Sequence, residues 1–78
     1  MMEIKILGSG CAKCKKLEGA AIEAVNELKL NATVVKVEDM MEIISYGVAM
    51  TPAMVVDGKV LLKGRTASVE EIRKLLTN

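Results

Sequence analysis

The sequence predicts an α/β fold of element order β-α-β-α-β-β-α, a mixed four-stranded sheet with three helices, and three observations lead to it. β-branched runs flank a stretch of helical periodicity in the first half of the chain, Asp57-Gly58 separates two apolar runs in the second, and a capping pattern opens a final amphipathic segment. Strand, helix and strand in succession read as a βαβ unit, whereas two apolar runs divided by Asp-Gly read as an antiparallel hairpin.

Residues 3 to 7 carry Ile4, Ile6 and Leu7 and read as a buried strand. Gly8-Ser9-Gly10 then leads into a helix from Cys11 to about Leu28, in which Cys14, Leu17, Ala21, Ile22, Val25 and Leu28 recur at three- and four-residue steps and mark one apolar face. Lys15, Lys16, Glu18, Glu23 and Glu27 fall mostly outside that face. Leu30-Asn31 closes the helix, with Asn31 able to take a left-handed conformation. Ala32 to Val37 is β-branched enough for the second strand. Asp39, followed three residues later by Glu42, has the pattern of a helix start. The helix it opens is short, running through Ile43, Ile44 and Tyr46 and stopping at Gly47. Ala53-Met54-Val55-Val56 and Lys59-Val60-Leu61-Leu62 form the hairpin around Asp57-Gly58. Gly64 ends the last strand, Ser68-Val69-Glu70-Glu71 supplies a capping box, and Val69, Ile72, Leu75 and Leu76 line the face of a terminal helix.

Seventy-eight residues suit a single domain spanning residues 1–78, without repeat, linker or low-complexity tract. With Tyr46 as the sole aromatic residue, the core has to be aliphatic. Met40, Met41 and Met54 are expected to fill gaps in it. Tyr46 is expected to pack at a helix end with its hydroxyl wet. A formal charge of +1, with no basic stripe, argues against nucleic acid or an anionic membrane as partner. Neither a signal-peptide layout nor a spanning apolar run is apparent, so a cytoplasmic protein is expected.

Both cysteines of the chain lie in Cys11-Ala12-Lys13-Cys14. In a reducing compartment such a pair is catalytic or metal-binding more often than a staple, and a bridge closing so short a loop stabilises a fold little. Cys11 falls at the expected helix start, where unpaired N–H groups and the positive end of the helix dipole favour the thiolate. Thiolate is the nucleophile of disulfide exchange, which makes Cys11 the candidate attacker. Lys13, between the cysteines, is a candidate for tuning thiol ionisation, because a nearby cation favours the charged form. Lys15 and Lys16 read as a solvated helix edge. Gly8 and Gly10 do not form a phosphate loop, since no G-x-x-x-x-G-K pattern follows them.

With Cys-x-x-Cys after the first strand, Thr51-Pro52 before the third, Val56-Asp57-Gly58 in a hairpin and a closing helix, the chain resembles the thioredoxin superfamily over essentially its whole length. It is most similar to the small thioredoxin/glutaredoxin-like redox-active disulfide proteins. The resemblance implies a thioredoxin-like fold, with Cys11 attacking, Cys14 resolving and Pro52 a cis-proline facing the disulfide. It also implies that the Thr51 backbone pairs with a bound substrate polypeptide. The expected activity is that of a thiol-disulfide oxidoreductase or electron-transfer protein. The expected partners are protein disulfide substrates and a thioredoxin-reductase-like electron donor, with no bound cofactor and a monomeric state.

The chain also departs from its relatives. Gly10 stands where thioredoxins commonly carry Trp, and Ala12-Lys13 replaces their Gly-Pro. No acidic residue lies between Ile4 and Gly10, so the buried carboxylate that helps thioredoxins deprotonate the resolving thiol has no counterpart there, and proton handling must differ. Gly64-Arg65-Thr66-Ala67 lacks the acidic pair with which glutaredoxins hold glutathione.

Two other classes compete. A closed zinc site needs about four Cys or His ligands, against two Cys and no His here. Two soft thiolates could carry Cu(I), but the heavy-metal-binding domains that do so carry Met ahead of the first Cys and end in a strand. A binding module whose disulfide merely switches shape is the other competing class.

Overall fold

The computed structural model describes residues 2–8 and 12–77. Seven elements follow in the expected order: β1 (Met2–Leu7), α1 (Ala12–Leu28), β2 (Ala32–Val37), α2 (Met40–Ser45), β3 (Ala53–Val56), β4 (Lys59–Lys63) and α3 (Val69–Thr77). The strands form one mixed sheet in the order β2-β1-β3-β4. β1 and β2 run parallel, which the α1 crossover requires, while β1–β3 and β3–β4 are antiparallel.

Side-chain alternation along the strands splits the interior into two layers. Ile4, Ile6, Met54 and Leu62 face one side and pack with Leu17, Ala21, Ala24 and Val25 of α1 and with Ile72 and Leu76 of α3. Leu7, Val37, Ala53 and Val55 face the other, under Ile43 of α2 and Val48. At the hairpin, Asp57 and Gly58 both take positive φ, +50° and +86°, as a two-residue turn matched to strand twist demands. Asp57 also ties the hairpin to β1. Its carboxylate accepts from the Glu3 N–H and its own N–H donates to the Glu3 carbonyl, each at 2.8 Å.

Several details depart from the expectations. The left-handed residue after α1 is Lys29 (φ +54°), two positions before Asn31. Leu30 N–H then donates to the Val25 carbonyl and Lys29 N–H to that of Asn26, a Schellman closure that packs Leu30 toward Val25. Ile22, at the flank of the α1 stripe, is 43 % exposed, and Ala24 takes the buried position. Met54 is fully buried, but Met40 and Met41 are 67 % and 74 % exposed. With only six residues, α2 turns one narrow face to the sheet, and Ile43 fills it. Asp39 caps α2 as expected, accepting from the Met41 N–H at 3.1 Å. Ser68 caps α3 through the Glu71 N–H at 3.1 Å, yet the Glu71 carboxylate pairs with the Arg65 guanidinium, so the capping box is only half made. Tyr46 is half-buried, and its hydroxyl accepts from Lys5 Nζ at 2.8 Å, which pins α2 to β1. That bond, with Glu3 and Glu42 adding to it, holds the Lys5 ammonium above its usual pKa. No helix among the described residues is long and apolar enough to cross a membrane.

Candidate functional site

The site lies where β1 ends, α1 begins and the chain enters β3. Cys14 is the third residue of α1, and its stripe position turns it inward, leaving the residue 6 % exposed. Gly8 extends the β1–β2 pairing by one step, its N–H donating to the Val37 carbonyl at 2.9 Å, and so brings backbone against the cysteine. A β-carbon built on Gly8 would overlap the Cys14 sulfur, come within 3.3 Å of Cys14 Cβ and within 3.7 Å of Thr51 Cβ. Glycine is therefore required by close approach, and Cys14 and Thr51 flank the same backbone atom. The Thr51–Pro52 bond is cis and Pro52 is fully buried, while Thr51 stays exposed. The Pro52 carbonyl accepts from Gly64 N–H at 2.9 Å, which ties this loop to the end of β4.

Of the residues singled out from sequence, the fold thus brings Cys14, Thr51 and Pro52 into one locality. Lys13 lies on the exposed side of α1, immediately before Cys14. Cys11, expected at the helix start, lies outside the described residues, which resume at Ala12 as the first residue of α1. The first turn of α1 contains no acidic residue, although acids are the usual complement of a helix's positive end. Lys13, Lys15 and Lys16 crowd that end instead. They disfavour the helix slightly and favour an anion beside it.

Sequence reasoning missed two contributors. Lys15, read as merely solvated, and Lys36, not considered, both border a small crevice at Cys14 together with Ile6 and Gly8. The available signal for Lys36 was its position as the one charged residue in an apolar strand, between Val35 and Val37. On the opposite side of Thr51, a groove of about 450 Å³ runs along α2 past Met40, Ile44, Val48 and Ala49.

Cu(I) carriage, the metal-carrier alternative, is not favoured by the comparisons that follow. A family model described as a thioredoxin domain matches residues 2–77. The chain is 46 % identical over 77 residues to a protein named thioredoxin from Methanothermobacter thermautotrophicus, covering 99 % of this chain and 100 % of the relative. It is 40 % identical over 76 residues to a thioredoxin from Methanocaldococcus jannaschii, covering 97 % of this chain and 87 % of the relative.

Proposed function

The chain belongs to the thioredoxin family, and from that premise we propose that it is a protein-disulfide reductase that cycles Cys11 and Cys14 between dithiol and disulfide. The observation that carries this reading is the seating of the Cys14 sulfur against Gly8 and beside Thr51, at the lysine-rich end of α1. A sulfur held by backbone on one side and helix on the other has little freedom. That constraint suits an intramolecular attack on a neighbour three positions away.

The Cys11 thiolate attacks one sulfur of a partner's disulfide. The partner's S–S bond breaks, its other sulfur leaves as a thiolate that takes up a proton, and Cys11 becomes joined to the partner. The Cys14 thiolate then attacks the Cys11 sulfur, forming the Cys11–Cys14 bond and expelling the partner's second thiol. Two electrons have passed from this chain to the partner. A dithiol donor of the thioredoxin-reductase class returns two electrons and two protons, so the cycle requires no bound cofactor. Thr51, exposed beside Pro52, offers its backbone to an extended substrate strand, a general mode of peptide recognition. Lys13 adds a cation to the helix end that favours thiolate. The reducing chemistry fits a cytoplasmic protein acting as a monomer.

Insulin reduction tests the assignment. Cys14→Ser should accumulate a covalent mixed disulfide on Cys11, and Cys11→Ser should abolish turnover. A Cys11→Ser protein that reduced insulin at the parent rate would sink the reading.

A further inference from the structure

We infer that Met50 is a modification site: a peroxide oxidises its thioether to the sulfoxide, which weakens the hold on a partner polypeptide beside Thr51. The inference rests on the disulfide-exchange reading above and adds a switch to its binding side. Its starting point is where the methionines lie. Met54 is core material with no exposure, whereas Met50 is 68 % exposed. A methionine sulfur in water is open to oxidants, and one in the core is shielded from them.

Val48 and Ala53 are buried in the layer under α2, and between them the chain rounds the end of the sheet with Ala49, Met50 and Thr51 exposed. Met50 does not simply project into solvent there. A β-carbon built on Gly64 would lie 3.3 Å from Met50 Cβ, 3.8 Å from its Sδ and 3.9 Å from its Cε, so the whole side chain lies along the Gly64 backbone. Gly64 in turn donates its N–H to the Pro52 carbonyl at 2.9 Å. The thioether is thus supported from beneath by the end of β4 and open above. With Gly47, Ala49 and Lys63 it lines a depression of about 330 Å³, and Ala49 also borders the α2 groove. A strand laid on the Thr51 backbone has to pass Met50, the preceding residue, and covers its sulfur.

That cover is what makes the oxidation state matter. A thioether is a weak acceptor that an apolar neighbour covers at little cost. A sulfoxide is polar, and a polar group covered without a hydrogen bond is costly. The backbone beneath offers it nothing, since the Gly64 N–H is already given and Pro52 has none. Lys63 borders the same depression, and an oxygen that turned to its ammonium would draw the side chain off Gly64, so the apolar contact is lost by that route too. The step balances with the peroxide alone. The sulfur attacks one peroxide oxygen, the O–O bond breaks, and the second oxygen leaves with the proton of the first, as water or an alcohol. Sulfur gives up two electrons and the peroxide gains them. Met40 and Met41 are as exposed and oxidise too, but they stand on α2, and neither adjoins Thr51 in the chain.

The test starts from the disulfide form, in which the cysteines are protected. The protein is treated with hydrogen peroxide, quenched, reduced with dithiothreitol to regenerate the thiols, and assayed for insulin reduction. Peptide mass spectrometry should find sulfoxide at Met40, Met41 and Met50 before Met54. The value of kcat/KM should fall about tenfold, through KM rather than kcat, as expected when a polar group is covered unpaired. Each variant is compared with its own untreated sample. Met50→Leu keeps the volume and takes no oxygen, so its treated and untreated samples should agree, while the double variant Met40→Leu/Met41→Leu should lose as much as the parent. Absence of sulfoxide at Met50, an unchanged kcat/KM in parent protein fully oxidised there, or an equal loss in Met50→Leu would overturn the proposal. Failure of the exchange reading looks different: the untreated parent would reduce insulin no faster than its Cys11→Ser variant.

Discussion

Gly8→Ala places a methyl group where the Cys14 sulfur already sits. The added carbon overlaps that sulfur and lies 3.3 Å from Cys14 Cβ, so Cys14 has to shift, while Thr51 Cβ at 3.7 Å stays in ordinary van der Waals contact. Overpacking of this kind costs about 1–3 kcal/mol, and overlap with a buried sulfur argues for about 2. In a domain of this size each 1 kcal/mol moves Tm by about 4–8 °C, so a fall of about 8–16 °C is expected in thermal unfolding of the fully reduced protein followed by far-ultraviolet circular dichroism. The mechanism is checked by adding Cys14→Ala, which deletes the overlapping sulfur and leaves only the 3.3 Å approach of two β-carbons. The double variant should regain more than half of the loss relative to Cys14→Ala alone, a coupling of about 1 kcal/mol or more. Parent-like stability of Gly8→Ala, or additive losses in the pair, would refute the close approach.

The two halves of the α1 stripe should behave differently: Leu17→Ala, at a fully buried position, is expected to cost about 2–5 kcal/mol in urea unfolding. Ile22→Ala, at the exposed flank, should cost less than about 1 kcal/mol, and equal losses would contradict the orientation of the helix. On the acid side, the Arg65 guanidinium hydrogen-bonded to Glu71 holds that carboxyl below its ordinary pKa. A lowered folded-state pKa stabilises the protein above the unfolded value, and the benefit disappears as pH falls through the folded one. Arg65→Gln should therefore raise the Glu71 midpoint in an NMR titration toward the usual carboxylate range, and an unmoved midpoint would remove Arg65 as the cause. Both groups are exposed, so the accompanying stability change is small.

What could be read from the sequence was local. Asp57-Gly58 announced the hairpin because two successive positive-φ residues are tolerated by few sequences. Asp39 and Ser68 announced their helices because each cap is made within three residues of itself. The readings that failed were those decided by distant partners. Glu71 could have completed its capping box, but Arg65 offered a charged alternative. Met40 and Met41 look like core, but a helix as short as α2 has room to bury only Ile43. Asn31 is a good left-handed residue, but the chain had already reversed at Lys29 so that Leu30 could cover Val25. The candidate site divides in the same way. Spacing drew attention to Cys14 and Thr51-Pro52, whereas the approach of Lys36 depends on a sheet register that pairs Ile6 with Lys36, 30 positions further along the chain.

The clamp between Lys5 and Tyr46 makes the protein its own spectroscopic probe. Tyr46 is the only aromatic side chain, and the ammonium that donates to its hydroxyl also stands 5.5 Å from the centre of its ring. Tyrosine emission from this chain thus originates at a single junction, unobscured by tryptophan, and any loosening of α2 from the first strand would be visible in a lone fluorophore without a label.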